Sequence, residues 1–393
     1  MQPQPPPYDP KALDAFVALA GAPLWAARMG EIAQRAASGT RSGQAARQRH
    51  GLELAIERLR GTMTRPPSAA ELHAARLAGD AVALARKLRA RGKARLRERL
   101  RMALAGSGTL VPLFHTLRTA ALQASRGFTI AFAGLEDAAP YDLLIAHGVL
   151  QAEIACEVVS AEDGRLVQRG AWTDLADRVD ADLRAWLAVH PGRYLLKMTL
   201  PQGLSSNALE EVHARIRRLL DTGRRHDHDD SAVLRLDPLL LAGGDADGGL
   251  MLSLRNEFGP EAHLAVIAEG EGVLAIAARA GRTDEVAVAV RRRLFEIAPT
   301  RLSGTRPGIL AMFIEDTDRR EWRGMRDRLE LEGEARQFLA YKAARPVIAV
   351  TCASRLELLG MDGAAEGGEL RFRNTAHPSA RVAALAPAIQ SSV

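Results

Sequence analysis

Three carboxylates lie in two short apolar runs near the middle of the chain, YDLLIA at 141–146 and LQAEIACEVVS at 150–160. Asp142 opens the first run, and Glu153 and Glu157 lie inside the second. An unpaired carboxylate in a covered sheet costs several kcal/mol, so each acid needs an exposed edge, an arginine or a metal ion. Two carboxylates that converge can bind Mg²⁺, and water on that ion can attack a phosphodiester.

Both runs predict β-strands, joined by a tight turn at His147-Gly148 into an antiparallel pair. Side-chain alternation puts Glu153 and Glu157 on one face of the second strand of this pair. Asp142 and Glu157 each lie several residues from the turn, on adjacent strands. We therefore expect their carboxylates to be neighbours at one end of a sheet.

The elements around this hairpin follow from the periodicity of apolar residues. A helix is predicted over 111–126 and a strand over 128–134 before the hairpin, and a helix over 171–189 and a strand over 193–201 after it. The resulting order is helix, three strands, helix, strand.

This order and its residues resemble the PD-(D/E)xK nuclease superfamily, in a divergent or degenerate form. The resemblance covers about 111–201, roughly a quarter of the chain, and implies a restriction-endonuclease-like mixed sheet (α-β-β-β-α-β) and Mg²⁺-dependent phosphodiester hydrolysis. Pro140-Tyr141-Asp142 is similar to a spaced version of the family's Pro-Asp, with Glu157 or Glu153 as the second acid. The segments that carry the resemblance are LFHTLRTAALQASRGF, FTIAFAG, PYDLLI, AEIACEVVS and RYLLKMTL.

The family's lysine, expected two residues after the second acid, is absent, since Val159 follows Glu157 and Ala155 follows Glu153. Lys197, in RYLLKMTL, is the only lysine between 94 and 341. On a strand beside Glu157 it would either complete a site or form an inert ion pair. In an active site, the resemblance implies that Asp142 and Glu157 hold Mg²⁺ while Lys197 stabilises the developing phosphorane charge.

Simpler interpretations of the same residues stay open. Asp142 can cap a turn, and Glu153 can pair with an arginine. Three polar residues after the third strand can contact phosphate near the acids, or merely cap the next helix: Arg165, Gln168 and Arg169.

Basic residues concentrate towards the N-terminus. Residues 1–110 hold 19 basic and 8 acidic residues, a net charge of +11, whereas 111–393 have a net charge of −5. A helical stretch with a leucine stripe carries nine cations around a single acid, Glu98, and we expect it to bind nucleic acid through phosphates or to dock on an acidic protein. Its cations are Arg86, Lys87, Arg89, Arg91, Lys93, Arg95, Arg97, Arg99 and Arg101.

The sequence thus predicts an α/β protein with four parts. These are a basic helical domain (1–110), a restriction-endonuclease-like core (111–204), a C-terminal α/β segment (205–360) and a loop-like tail (361–393). The segment 205–360 is either a second unit or an extension of the first sheet. The expected function is that of a nucleic-acid-acting protein of nuclease descent, or of an inactive relative that serves as a scaffold or regulator.

The remaining expectations concern the cell. No uninterrupted run of 18 apolar residues and no signal-peptide pattern occur, so no membrane association is predicted. Cys156 and Cys352 lie in apolar runs and are expected to be buried free thiols in a reducing cytoplasm. Five lysines among 53 basic residues are typical of a GC-rich bacterial genome.

Overall fold

The computed structural model describes residues 8–36, 39–61, 65–239, 248–259, 262–360 and 369–391. They form a mixed α/β protein with two mixed sheets, which confirms the predicted class. The chain divides into two units, each assembled from separate stretches. Unit 1 comprises Met1–Gln34, Arg47–Ala161 and Ala287–Val393, and unit 2 comprises Arg35–Ala46 and Glu162–Val286.

Strands and helices are numbered in chain order over the described residues. The strands are β1 (Thr129–Ala131), β2 (Leu143–His147), β3 (Leu150–Ser160), β4 (Arg193–Leu200), β5 (His226–His228), β6 (Val233–Pro238), β7 (His263–Glu269), β8 (Gly272–Ala280), β9 (Gly308–Glu315), β10 (Val347–Ser354) and β11 (Leu370–Arg373). The helices are α1 (Pro10–Ala20), α2 (Ala22–Ala36), α3 (Arg41–Arg49), α4 (Gly51–Arg60), α5 (Ala69–Lys87), α6 (Ala90–Ala103), α7 (Val111–Ser125), α8 (Ala133–Glu136), α9 (Arg169–Val189), α10 (Leu209–Asp221), α11 (Gly248–Phe258), α12 (Val286–Arg301), α13 (Arg319–Asp327), α14 (Glu330–Leu339), α15 (Arg355–Leu358) and α16 (Ala386–Ile389).

The sheet of unit 1 has the strand order β1-β2-β3-β9-β10-β11. β1, β2 and β3 are antiparallel to one another in turn, β9 is parallel to β3, and β10 is parallel to β9. The predicted hairpin is confirmed: His147 pairs with Leu150, and Gly148 takes a left-handed φ of 62° that suits glycine. β1 is shorter than predicted because α8 begins at Ala133.

The N-terminal stretch is helical, as predicted, and α1, α2, α4, α5 and α6 share an apolar core with α7 and the sheet. Helix α5 begins after Ser68, which forms a reciprocal capping box with Glu71. The predicted leucine stripe is buried, but the helix is interrupted at Leu88 and Arg89, which are extended. One apolar core therefore joins the helices to the sheet; among its members are Leu13, Phe16, Ile56, Leu77, Leu96, Leu100, Phe114 and Phe313.

Unit 2 is a second α/β layer structure. Its sheet has the order β5-β6-β4-β8-β7, in which β4 and β8 are parallel and the other neighbours are antiparallel. Helices α9 and α10 share one apolar core with this sheet; among its members are Leu175, Leu183, Ile216, Leu196, Leu234 and Ile276.

The assignment of 193–201 to the same sheet as the acids is wrong. The strand itself is confirmed as β4, but it pairs with β6 and β8, whereas β3 pairs with β2 and β9. A helix followed by a strand occurs both at 169–200 and at 286–315, and local sequence does not distinguish which strand joins β3. The alternative left open for 205–360 also resolves: β5–β8 belong to the second sheet, and β9 and β10 extend the first.

The C-terminal tail is not wholly loop-like. Residues 361–368 and 392–393 lie outside the described residues, but β11 pairs antiparallel with β10, and α16 follows it. Both thiols are free and buried, as expected. Among the described residues no single helix combines the length and apolar character needed to cross a membrane, although α1 and α2 pass that test as a pair bent by 96°.

Candidate functional site

Asp142 lies one residue before β2, beside β3. Its backbone N–H donates to the carbonyl oxygen of Ile154 at 3.0 Å, and its Oδ2 accepts from the N–H of Cys156 at 2.9 Å. Gly134 comes so close that a Cβ there would lie 2.9 Å from the carbonyl oxygen of Tyr141. The backbone of neighbouring segments therefore fixes this carboxylate, which is only 4% exposed.

Arg301, the last residue of α12, joins Asp142 to Glu157. Its Nη2 donates to Asp142 Oδ2 at 2.7 Å and its Nη1 donates to Glu157 Oε2 at 3.0 Å. Its Nε donates to the carbonyl oxygen of Pro140 at 2.8 Å. The planar fork of one guanidinium thus spans both acids and the proline of the Pro-Tyr-Asp motif.

Each acid has a second arginine. Arg99 Nη2 lies 2.9 Å from Asp142 Oδ1, and Arg293 Nη2 donates to Glu157 Oε1 at 2.6 Å. All four carboxylate oxygens of the two acids therefore face a guanidinium. Asp142 and Glu157 are neighbours at one end of the sheet, as expected, and both belong to an arginine–carboxylate network.

The network is close to neutral. Arg293 also donates to Glu296 at 2.7 Å, so three arginines face three acids. Hydrogen bonds to Glu157 and Glu296 raise the pKa of Arg293 above its usual value, so its positive charge persists at any ordinary pH. Burial, together with the Asp142 charge, raises the pKa of the Cys156 thiol far above its usual value, so this thiol stays protonated.

A cavity of about 570 Å³ opens on the two acids. Thr116 of α7 and Glu98 of α6 both line it. Asp142, Glu157, Arg99 and Arg301 are also among its lining residues. The acids are therefore accessible from a cleft, as a site of chemistry requires, even though their charges are already compensated.

The residues as arranged do not fit Mg²⁺. This ion needs carboxylate oxygens that point at it in a near-octahedral shell, and all four oxygens here accept from guanidinium groups. Within the described part of the chain, no group of three or more His, Cys, Asp or Glu side chains is placed to hold a metal ion.

Glu153, the third acid, is structural. Its side chain is fully buried and accepts from the N–H and the hydroxyl of Ser303, at 2.8 and 2.5 Å. Arg306 Nη1 lies 3.4 Å away. Glu153 does not line the cavity, and its arginine contact follows the simpler of the two interpretations of this residue.

Lys197 was expected on a strand next to Glu157, and this expectation is wrong. β4, which carries Lys197, belongs to the sheet of unit 2. The Lys197 ammonium is 3.8 Å from Asp237 and 3.7 Å from Glu257, and lies over the ring of Phe258. It therefore sits in a half-exposed group of its own.

The phosphate-contact candidates also belong to unit 2. Arg165 is 6% exposed and pairs with Glu162, which also accepts from the backbone N–H of Arg169 at 2.7 Å. Gln168 precedes α9 without a side-chain cap hydrogen bond. Arg165 is therefore engaged by a nearby acid in its own unit.

The nine cations of the basic stretch fall into two sets. Four are engaged within unit 1: Arg89 with Glu136, Arg95 with two backbone carbonyls of α8, Arg99 with Asp142 and Arg101 with Glu98. The others have no ion pair or side-chain hydrogen bond within the residues described, and four of them are exposed, with Lys93 partly so; they are Arg86, Lys87, Arg91, Lys93 and Arg97.

Two site residues had no signal in the sequence. Arg301 and Arg293 lie 144 and 136 positions after Glu157, and 48 of the 53 basic residues are arginines. Acids in apolar strands indicate that counter-charges are needed, but the sequence near them does not show which arginines supply those charges.

Comparisons with protein-family models, with curated proteins and with solved structures found no match to this chain.

Proposed function

We propose that this protein binds nucleic acid through the basic stretch at 86–101 and that its nuclease-like core is catalytically inactive. One observation carries the second half of the proposal: the Arg301 guanidinium bridges Asp142 and Glu157, where a metal ion would bridge two such ligands. A guanidinium neutralises both carboxylates in a fixed fork, but it brings no coordinated water to attack a phosphodiester.

The arrangement of unit 1 supports a restriction-endonuclease-like core. α7, β1, β2 and β3 are followed in this unit by α12 and β9, and β9 is parallel to β3. Apart from the short α8 between β1 and β2, this order agrees with the helix, three strands, helix and strand that the resemblance implies, with residues 161–285 between β3 and α12. The acids lie on β3 and just before β2, the positions the resemblance assigns to them.

The unpaired cations support nucleic-acid binding. Lys93 and Arg97 are four residues apart on α6 and therefore lie on one face of the helix. Like charges so placed repel each other, and the described residues offer them no acid. Phosphate groups along a nucleic-acid backbone would supply the missing negative charge without reading sequence.

Binding is tested with the full chain, by fluorescence anisotropy on a short DNA duplex and on single-stranded RNA. Affinity for at least one of them should fall steeply between about 50 and about 200 mM salt. The Lys93→Glu, Arg97→Glu double variant should bind more weakly, with a salt slope shallower by about 2, since two phosphate contacts are removed.

A matched control is Arg319→Glu with Arg323→Glu on α13, two exposed arginines with the same spacing and no partner within the described residues. It should bind like the wild type. Equal weakening by both double variants, or binding that does not respond to salt, would refute a specific role for α6.

Hydrolysis is tested by incubating DNA and RNA substrates with Mg²⁺ or Mn²⁺. We expect no cleavage above a preparation of Asp142→Ala purified in the same way. Cleavage by the wild type that Asp142→Ala abolishes would overturn the inactive-core proposal and favour a metal-dependent nuclease instead.

A further inference from the structure

Unit 2 has a cavity of its own at the carboxyl ends of its two parallel strands. In the register of β4 and β8, Thr199 pairs with Arg279 and Leu200 with Ala280, and Thr199, Arg279 and Ala280 line a cavity of about 360 Å³. We call this the β4–β8 cavity. Ligands of α/β sheets commonly bind outside the carboxyl ends of the strands, because loops and helix ends converge there.

Two arginines of the β4–β8 cavity are unpaired within the described residues. Arg279 and Arg282 both line it and both are exposed, and neither has an ion pair or a side-chain hydrogen bond within the described residues. Arg215 in the same unit shows the contrast, because it pairs with Asp227 and Asp229. Two unpaired guanidiniums at one cavity repel each other, and an anion with several oxygens would relieve that repulsion.

The other walls of the cavity suit the organic part of a small molecule. Val167, Ala262 and Ala280 are apolar, and the ring of Phe258 adds an aromatic surface. The hydroxyl of Thr199 can donate to a phosphate oxygen. Asp284, whose carboxylate accepts from the backbone N–H of Leu166 at 3.1 Å, also lines the cavity as a hydrogen-bond acceptor.

His263 lies beside Val167, one of the lining residues of the β4–β8 cavity. His263 hydrogen-bonds to the backbone of Val167, and its pKa is lowered to about 4 by burial first and then by the charges of Arg169 and Arg165. The imidazole is therefore neutral near pH 7 and adds no positive charge beside the cavity.

We propose that the β4–β8 cavity binds a mononucleotide, with Arg279 and Arg282 contacting its phosphate and the apolar wall with Phe258 contacting its base. The volume is at the lower end of the range for small-molecule sites, so it suits one nucleotide better than a chain. This site is independent of the basic stretch and of the Asp142–Glu157 network.

The test is isothermal titration of the full chain with AMP, GMP, CMP and UMP, and separately with adenosine, inorganic phosphate and a 5′-phosphorylated oligonucleotide. At least one mononucleotide should bind one site per chain. The best-bound mononucleotide should bind about tenfold or more tightly than inorganic phosphate, because both halves of the ligand are contacted. It should also bind more tightly than the oligonucleotide when both are titrated into the Lys93→Glu, Arg97→Glu double variant, in which the basic stretch is weakened. The unphosphorylated nucleoside of the best-bound mononucleotide should bind about tenfold or more weakly than that mononucleotide.

Arg279→Ala and Arg282→Ala should each weaken the best mononucleotide by about tenfold or more, since each removes a charge-assisted hydrogen bond. Arg224→Ala is the control, because Arg224 is an exposed arginine of unit 2 that does not line the cavity and has no partner within the described residues. All three variants should keep the thermal midpoint of the wild type.

Three results would overturn the proposal. They are no saturable binding of any of the four mononucleotides, unchanged binding by the Arg279→Ala, Arg282→Ala double variant, and tighter binding of the oligonucleotide than of every mononucleotide by the Lys93→Glu, Arg97→Glu double variant, which would assign the cavity to nucleic-acid ends. The nucleic-acid assay with the α6 variants is independent of all three, so failure of one proposal is distinguishable from failure of the other.

Discussion

Arginines line a cavity in each unit, and the two cavities differ in what the arginines face. In unit 1, Arg99 and Arg301 are bound to Asp142 and Glu157. In unit 2, Arg279 and Arg282 have no such partner among the described residues. In the first cavity the positive charge is used within the protein, whereas in the second it is available to a ligand.

The comparison separates resemblance from function. The larger cavity carries the acids that resemble a nuclease site, yet an added cation would have to displace a guanidinium from each acid. The smaller cavity has no recognisable motif, yet an anion could bind its two arginines without breaking an existing ion pair. The availability of charge, and not the identity of a motif, therefore decides which cavity is better prepared for a ligand.

The largest effect is expected from Arg301→Ala. The variant leaves Asp142, which is 4% exposed, and Glu157 with one arginine each, so the free energy of unfolding should fall by about 3 kcal/mol. Urea unfolding at neutral pH measures it. Arg323→Ala, an exposed arginine with no partner in the described structure, should change stability by less than about 0.5 kcal/mol. Equal effects of the two substitutions would remove Arg301 from the network.

The same variant tests whether Arg301 takes the position of a cation. With the guanidinium gone, Asp142 Oδ2 and Glu157 Oε2 lose the donor that joined them. Mg²⁺ should then raise the thermal midpoint of Arg301→Ala, but not that of the wild type or of Arg301→Lys, which keeps a positive charge. If Mg²⁺ leaves the thermal midpoint of Arg301→Ala unchanged, Arg301 does not take the position of a metal ion.

Local pattern was sufficient to predict the strand that carries the acids. β3 begins at Leu150 and ends at Ser160, the residues that the apolar run predicts, because alternation and the turn at Gly148 are decided within a few residues. The neighbourhood of Asp142 and Glu157 followed from counting along one hairpin. These features depend on short-range geometry, which a single sequence contains.

Long-range pairing was not predictable in the same way. Arg301 lies 144 positions after Glu157, and the choice between β4 and β9 as the neighbour of β3 involves two similar helix–strand pairs. The periodicity of each pair fits either sheet. Only the packing of a whole sheet decides it, and the resulting misplacement of Lys197 led to the wrong partner for Glu157.

A second effect is expected on acidification, because each unit holds a histidine whose pKa is lowered to about 4, the buried His115 in unit 1 and the partly buried His263 in unit 2. His115 in unit 1 donates from Nε2 to the carbonyl oxygen of Ala311 at 2.9 Å, and its buried Nδ1 has no partner within the described structure. The unfolded chain, with a histidine pKa near 6.5, binds more protons than the folded one below that pH. The stability from His115 is therefore complete above about pH 6.5 and is lost as the pH falls towards 4.

The expected loss from His115 is about 2 kcal/mol at about pH 5, and it should be absent from His115→Gln. Urea unfolding at about pH 5 and about pH 7 measures it, and an equal pH dependence in wild type and variant would contradict it.

NMR titration in the presence and absence of salt distinguishes the two histidines. Since the charges of Arg169 and Arg165 contribute to His263, added salt should raise the pKa of His263 more than that of His115, whose pKa is lowered chiefly by burial.

A smaller effect should divide the cations of α6. Arg99→Ala removes one partner of Asp142 and should cost about 1 kcal/mol, less than Arg301→Ala because Arg99 is more exposed and contacts only one acid. Arg97→Ala should leave stability unchanged within about 0.5 kcal/mol but weaken nucleic-acid binding. Thermal unfolding and anisotropy on the same two proteins measure both effects. Equal stability loss in both variants would erase the distinction between engaged and available cations.

The smallest effect is expected from Lys197→Ala. The Lys197 ammonium is 3.8 Å from Asp237 and 3.7 Å from Glu257, and the side chain is 37% exposed, so the pairs are screened by water. The free energy of unfolding should change by less than about 1 kcal/mol, measured by urea unfolding beside Arg301→Ala. If Lys197 were instead a catalytic partner of Glu157, Lys197→Ala and Arg301→Ala would lower the rate of nucleic-acid cleavage by similar factors. A loss of stability as large as that of Arg301→Ala would show that Lys197 is part of a buried network. Paired arginines at the Asp142–Glu157 cavity would then not be the only strongly engaged charges among the described residues.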